Sequence, residues 1–129
     1  MADLELTKDD ALRAYARTMN NLDVKYLEPL LGDDFHYASQ SVLAEIESKE
    51  QYLAYLVPKL AAVSRSGSLV RAEMAELRTY PQGPCVVISQ DGQLVATVLV
   101  EVENGKIERI DMCQIPSPTL ALRRGEYPS

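Results

Sequence analysis

Apolar residues recur at three- and four-residue intervals through Leu12, Tyr15, Ala16, Met19 and Leu22, with Arg13, Arg17 and Asn20 off that series. Such a period puts the apolar set on one side of a helix. Thr7 followed by Asp10 gives a capping-box-like start, so the pattern predicts a first helix from near Thr7 that turns its Tyr15 side inward. Asn20-Asn21 ends it, and Asp23 then caps a second helix with Val24, Leu27, Leu30 and Leu31 as its apolar stripe. Pro29 removes a backbone donor within that stripe, so this helix is expected to be short or bent and to stop at Gly32 as a C-cap.

Phe35 to Ser39 alternates, with Phe35, Tyr37 and Ser39 on one strand face and His36 and Ala38 on the other. Val42 to Ile46 reads as a short strand or an irregular crossing. Ser48 with Gln51 is a capping box for a third helix, with Leu53, Leu56, Val57, Leu60 and Val63 or Ser64 on its buried face and an end by Gly67. Tyr52 and Tyr55 lie offset from that stripe. The second half changes period. Val86 to Gln90, Leu94 to Glu103 and Ile107 to Ile115 read as strands, joined by tight turns at Asp91-Gly92 and Asn104-Gly105.

Leu69 to Tyr80 has helical propensity, but the Pro81-Gln82-Gly83-Pro84 turn leading into the hairpins favours a strand. In the strand from Leu94, one face carries Leu94, Ala96, Val98, Val100 and Val102, and the other carries Val95, Thr97 and Leu99. Both are apolar, so both are expected to be covered: one by helices, the other by a second subunit.

The chain of 129 residues is one domain, 1–129, with 116–129 as a C-terminal tail that Leu120 and Leu122 could anchor. An apolar fraction of 47% is that of a globular protein. The longest apolar run, Leu94 to Val100, is broken by Thr97 and falls short of the roughly 20 residues of a membrane span. The opening MADLELTKDD is acidic and polar, unlike a secretory signal, so a cytoplasmic location is expected. Net charge is -6, and Arg123-Arg124 is the only adjacent basic pair, which speaks against nucleic acid and anionic membranes as partners. Cys85 and Cys113 make no disulfide framework, and one His with two distant Cys makes no zinc set, so neither metal nor cofactor is expected.

The stretch from Ala14 to Ser39 therefore runs helix, turn with Asp23, short helix, Gly32, Asp33-Asp34, alternating strand. That order resembles the opening of the nuclear transport factor 2-like superfamily, which includes SnoaL-like cyclases and ketosteroid isomerase. With the hairpins that follow, the resemblance covers nearly the whole chain. It implies an α+β, cystatin-like roll: a cone-like curved antiparallel sheet with three N-terminal helices enclosing a pocket. Members often dimerise through the sheet face, so a homodimer is expected.

Set on ketosteroid isomerase without gaps, Tyr15 falls where that family keeps its oxyanion-binding tyrosine, Asp23 on its turn aspartate and Asp33-Asp34 on its strand-entry pair. Ser39 falls at the catalytic base, where a hydroxyl cannot move a proton as a carboxylate does. The segment best placed for the partner acid, Leu94 to Leu99, offers only Thr97. Steroid isomerisation is therefore not expected.

The implied function is binding of a small apolar or amphipathic molecule, with cofactor-free isomerisation, dehydration or cyclisation beside a carbonyl as its catalytic form. Tyr15 is then the electrophilic donor, and Asp111 or His36 the replacement base. Tyr37, Ser39, Tyr52, Tyr55, Arg109 and Cys113 are candidate ligand contacts. Arg109 and Asp111, two apart on one strand, share a face with each other and with Cys113. The plainer readings stand beside these: Tyr15 packed in the core, Arg109–Asp111 an ion pair on the sheet, His36 a surface residue and Cys113 a buried thiol. The alternative to a binding protein is a non-catalytic assembly domain with a filled pocket.

Overall fold

The Thr7 hydroxyl accepts the Asp10 amide at 3.0 Å, and helix α1 follows over Lys8–Asn21 with Ala11, Leu12, Tyr15, Ala16 and Met19 buried. The structure, a computed structural model, describes residues 6–40, 44–79 and 81–129. Asp23 caps as expected, accepting the Lys25 amide at 3.0 Å. The second helix is two 3-10 turns, Val24–Tyr26 and Glu28–Leu30. Pro29 sits in the first turn of the latter, where its missing N–H leaves no bond unmade.

Gly32 is not a C-cap. Strand β1 already runs over Leu31–Ser39, and Gly32 lies within it against the Glu108 carboxylate, which a Cβ would approach to 2.7 Å. Tyr37 exchanges backbone bonds of 2.9 Å with Ile46; the rest of the expected Val42 to Ile46 segment lies partly outside the described residues.

Helix α2 spans Lys49–Ser66, with Ser48 accepting the Gln51 amide at 3.1 Å. Its buried face keeps the expected Leu56 and Leu60, takes in Tyr52 and leaves out Val57. Tyr52, Leu56 and Leu60 are buried, Leu53 is partly buried and Val57 is 48% exposed. Tyr52, Tyr55, Leu56, Leu60 and Val63 form the inward stripe, with Lys59 exposed at its edge, so the tyrosines expected beside the stripe lie within it.

Strands β2 (Val70–Leu77), β3 (Gly83–Gln90), β4 (Gln93–Glu103), β5 (Lys106–Cys113) and β6 (Leu122–Glu126) complete one curved sheet in the order β1-β5-β4-β3-β2-β6. The fold is α+β. The sheet is antiparallel except that β1 lies parallel to β5. Both expected hairpins form, and Asp91-Gly92 and Asn104-Gly105 hold positive φ at both turn residues, the geometry of a type I′ turn. α1 lies on β2, β3 and β4, and α2 on β1. Between helices and sheet is the main core, with Phe35, Tyr37, Met74, Val86, Val98 and Ile110 among its strand residues.

Two further features depart from the sequence reading. First, β4 is bulged: Ile88 pairs with Ala96 but Ser89 pairs with Leu94, leaving Val95 extra. The slip turns Leu94 to the outer face, beside Ala75, Leu77, Cys85 and Val87, and leaves Val95 on the helix side. Second, the tail carries a strand of its own. After β5 it crosses the outer face of the sheet to reach the far edge, where it becomes β6.

Gln40 starts the crossing, its Oε1 accepting the amides of Gln114 and Ile115 at 2.6 and 2.8 Å. Thr97 Oγ1 donates to the Pro116 carbonyl at 2.9 Å, Pro118 is buried, and Ala121 packs on the outer cluster. Leu120 and Leu122, the expected anchors, are 66% and 49% exposed. The anchors are polar instead. Glu73, 4% exposed, accepts Arg123 Nε at 2.6 Å and the Gly125 amide at 2.8 Å. The outer apolar face is thus covered in part by the chain's own strap, so its composition does not by itself require a second subunit.

Candidate functional site

The open end of the layer between helices and sheet holds a cavity of about 310 Å³. Its apolar walls are Met19 from α1, Leu60 and Val63 from α2, and Ile88, Ala96 and Met112 from the sheet. The β4 bulge adds Val95. Ser39, Lys59, Gln90 and Gln114 supply the polar atoms. Among the described lining residues Lys59 is the only charged one, and no carboxylate or imidazole is present. A smaller hollow of about 130 Å³ between Lys8, the Pro81–Pro84 turn, Glu101 and Asp111 is a surface notch away from this layer.

Next to Ser39 and Lys59 is an aromatic stack. Tyr52 sits between Phe35 and Tyr37 at centroid distances of 4.8 and 5.0 Å, and Tyr55 lies 5.6 Å from Tyr37. Burial, then the neighbouring phenols Tyr37 and Tyr55, push the Tyr15 hydroxyl well above the ordinary tyrosine range. Burial does the same to Tyr37 and Tyr52. These hydroxyls therefore stay protonated at neutral pH and act as neutral donors. Tyr37 reaches the Met112 sulfur at 3.8 Å and interacts with Ser39 and Tyr55. Tyr55 Oη accepts Lys59 Nζ at 2.9 Å, which ties the ammonium to the stack.

The expected site residues divide between the two faces of the sheet. Tyr15, Tyr37, Ser39, Tyr52 and Tyr55 come together on the helix side, and of these Ser39 lines the cavity. Tyr15, 1% exposed, is packed in the core behind it. His36, Arg109, Asp111 and Cys113 face outward, because His36 pairs with Arg109, Asp111 with Leu99 and Cys113 with Thr97 in the register of the outer set. Asp111 and His36 are therefore parted from Tyr15 by the sheet and do not reach the cavity as bases for it.

On the outer face Arg109 bridges two carboxylates. Its Nε lies 2.9 Å from Asp111 Oδ2 and its Nη1 3.1 Å from Glu45 Oε2, while His36 Nδ1 lies 2.6 Å from the same Glu45 oxygen. The His36 and Arg109 hydrogen bonds hold the Glu45 carboxyl below its usual range, and Asp111 with Glu45 raises the Arg109 guanidinium further. This is a satisfied surface network. Burial raises the Cys113 thiol, and burial raises Cys85 to about 11, so neither is a thiolate nucleophile at neutral pH.

Lys59 and the two glutamines were missed by sequence reasoning. A signal existed for Lys59, which follows Tyr52 by seven residues and Tyr55 by four, placing it on the tyrosine side of α2. Gln90 and Gln114 sit at strand ends, and nothing local marks them.

The fold is that of the nuclear transport factor 2-like proteins, as structural similarity shows. A SnoaL-like protein of unknown function from Burkholderia thailandensis superposes with a TM-score of 0.61 at 14% identity, covering 95% of this chain and 100% of that one. An NTF2-like protein of unknown function from Cytophaga hutchinsonii gives 0.59 at 14% identity, over 89% and 97% of the two chains. A candidate polyketide cyclase from Sinorhizobium meliloti gives 0.55 at 16% identity, over 78% and 90%. Compared by sequence, the chain matches no protein-family model and no curated protein. Among the described residues no helix is long and apolar enough to cross a membrane.

Proposed function

We propose that this chain is a small-molecule-binding protein of SnoaL-like type, taking an apolar or amphipathic molecule into the cavity between α1, α2 and the sheet. The observation that carries the reading is an open cavity of about 310 Å³ with mostly apolar walls and four polar lining residues. That is the composition of ligand pockets, at the small end of their usual range of roughly 300–1,000 Å³. Proton transfer beside a carbonyl needs a base within hydrogen-bond reach. The described lining offers a hydroxyl, an ammonium and two amides, which supports binding over general-base catalysis.

The test is a titration with neutral 4-phenylbutanamide, followed by methyl resonances of the methionines. The chain has four of these, and Met19 and Met112 line the cavity while Met74 is buried in the core. Saturable shifts at Met19 and Met112, abolished by Val63→Trp, are expected. No shift at either methyl would overturn the reading.

A further inference from the structure

We propose that the preferred ligand is an amphipathic monocarboxylate, bound head-out, with its carboxylate on Lys59 and its apolar body between α1, α2 and the sheet. This rests on the binding reading above and adds a charge to it.

Three observations on the cavity point the same way. Lys59 is the one charged side chain among the described lining residues, and it makes no ion pair with a carboxylate among the described residues. By contrast, Arg13, Arg109, Arg123 and Arg124 each have a carboxylate within 3.3 Å. Other cations, Arg17, Arg65 and Lys106 among them, also have no ion pair among the described residues; what sets Lys59 apart is that it alone of the cations borders this cavity's apolar walls.

The Lys59 ammonium is also positioned. It donates to Tyr55 Oη at 2.9 Å and lies 5.1 Å from the Tyr55 ring, and Tyr55 is held against Tyr37. The remaining protons of the ammonium are available to an acceptor, since an ammonium carries three donors. Finally, Lys59, Gln90 and Gln114 are exposed residues at the mouth, whereas Leu60, Ile88 and Ala96 are buried within. An acid seated head-out keeps its charge partly hydrated and buries only carbon, which avoids the cost of a desolvated carboxylate. The amide side chains of Gln90 and Gln114 supply further N–H donors at that rim.

The experiment compares 4-phenylbutyrate with 4-phenylbutanamide, two probes of nearly one shape that differ in charge, at pH 7 by calorimetry and the same methionine methyl shifts. The acid is expected to bind at least fivefold more tightly than the amide. Lys59→Met should bring the acid's affinity down to that of the amide, and Lys59→Arg should keep the preference. Because Lys59 is exposed, these variants are expected to fold. Equal binding of the two probes, or a preference that survives Lys59→Met, would overturn the carboxylate assignment and leave the cavity reading standing. Failure of both probes to move Met19 and Met112 would remove the cavity reading and this inference with it.

Discussion

Ser39 and Asp111 stand one register step apart on paired strands, Ser39 opposite Met112 and Ala38 opposite Asp111, yet they face opposite sides of the sheet. That single step separates a cavity hydroxyl from the nearest strand carboxylate. Asp111→Asn is therefore expected to leave 4-phenylbutanamide affinity unchanged within twofold. Its stability cost should be below about 1 kcal/mol, because the Arg109 pair is partly exposed. Calorimetry and urea melts check both, and a tenfold loss of affinity would return Asp111 to the site.

Asn20 acts as a one-residue extension of the sheet. Its carboxamide accepts the Ala72 amide at 2.7 Å and donates to the Ala72 carbonyl at 2.9 Å and the Pro128 carbonyl at 2.6 Å. It satisfies the β2 edge where β6 no longer reaches it. Asn20→Ala leaves part-buried backbone groups unpaired and should cost about 2 kcal/mol, read from chemical denaturation.

Glu73 pins the strap. Its carboxylate, nearly enclosed, holds Arg123 and the Gly125 amide together. Glu73→Ala should destabilise the protein by about 2 kcal/mol and raise hydrogen exchange in β6 more than in β3 or β4. Uniform exchange across the sheet would show that the strap is not held at this point.

Thr18 is fully buried on α1, and among the described residues its Oγ1 has no partner. Thr18→Val removes a stranded hydroxyl at nearly constant shape. Stabilisation of about 1 kcal/mol is expected, seen as a rise in Tm.

Alkali should weaken the fold in two stages. Cys85 keeps its proton to about pH 11 in the native state but ionises near the ordinary thiol value of 9.0 when unfolded. Its contribution is full below pH 9 and is lost as pH rises to about 11, because the unfolded state then binds fewer protons. Tyr15, Tyr37 and Tyr52, raised from 10.0, steepen the loss above pH 10. Cys85→Ala should flatten the slope between pH 9 and 10 in urea midpoints measured across that range and leave the steeper tyrosine limb.

What was legible in the chain was what a few neighbouring residues decide. Thr7, Asp23 and Ser48 bond to amides two or three residues away, and Asp91-Gly92 and Asn104-Gly105 adopt their turns from their own backbone preferences. The helix and strand periods followed, and with them the fold. On α2, Leu56 and Leu60 are buried as expected, but Tyr52 belongs in the stripe and Val57 does not, because leucine and valine weigh more than tyrosine in an apolar count.

By itself, then, the sequence determined the caps, the tight turns and the order of the two long helices and of strands β1 to β5, since these depend on contacts within about a turn. Tertiary structure alone decided the site. The β4 bulge chose which side Leu94 and Val95 face, the register of β1 on β5 sent Asp111 and His36 outward, and a tail from beyond β5 covered the outer face. Each depends on the pairing of residues far apart in the chain. A one-residue slip in such pairing reverses every side chain that follows, so no local pattern records it.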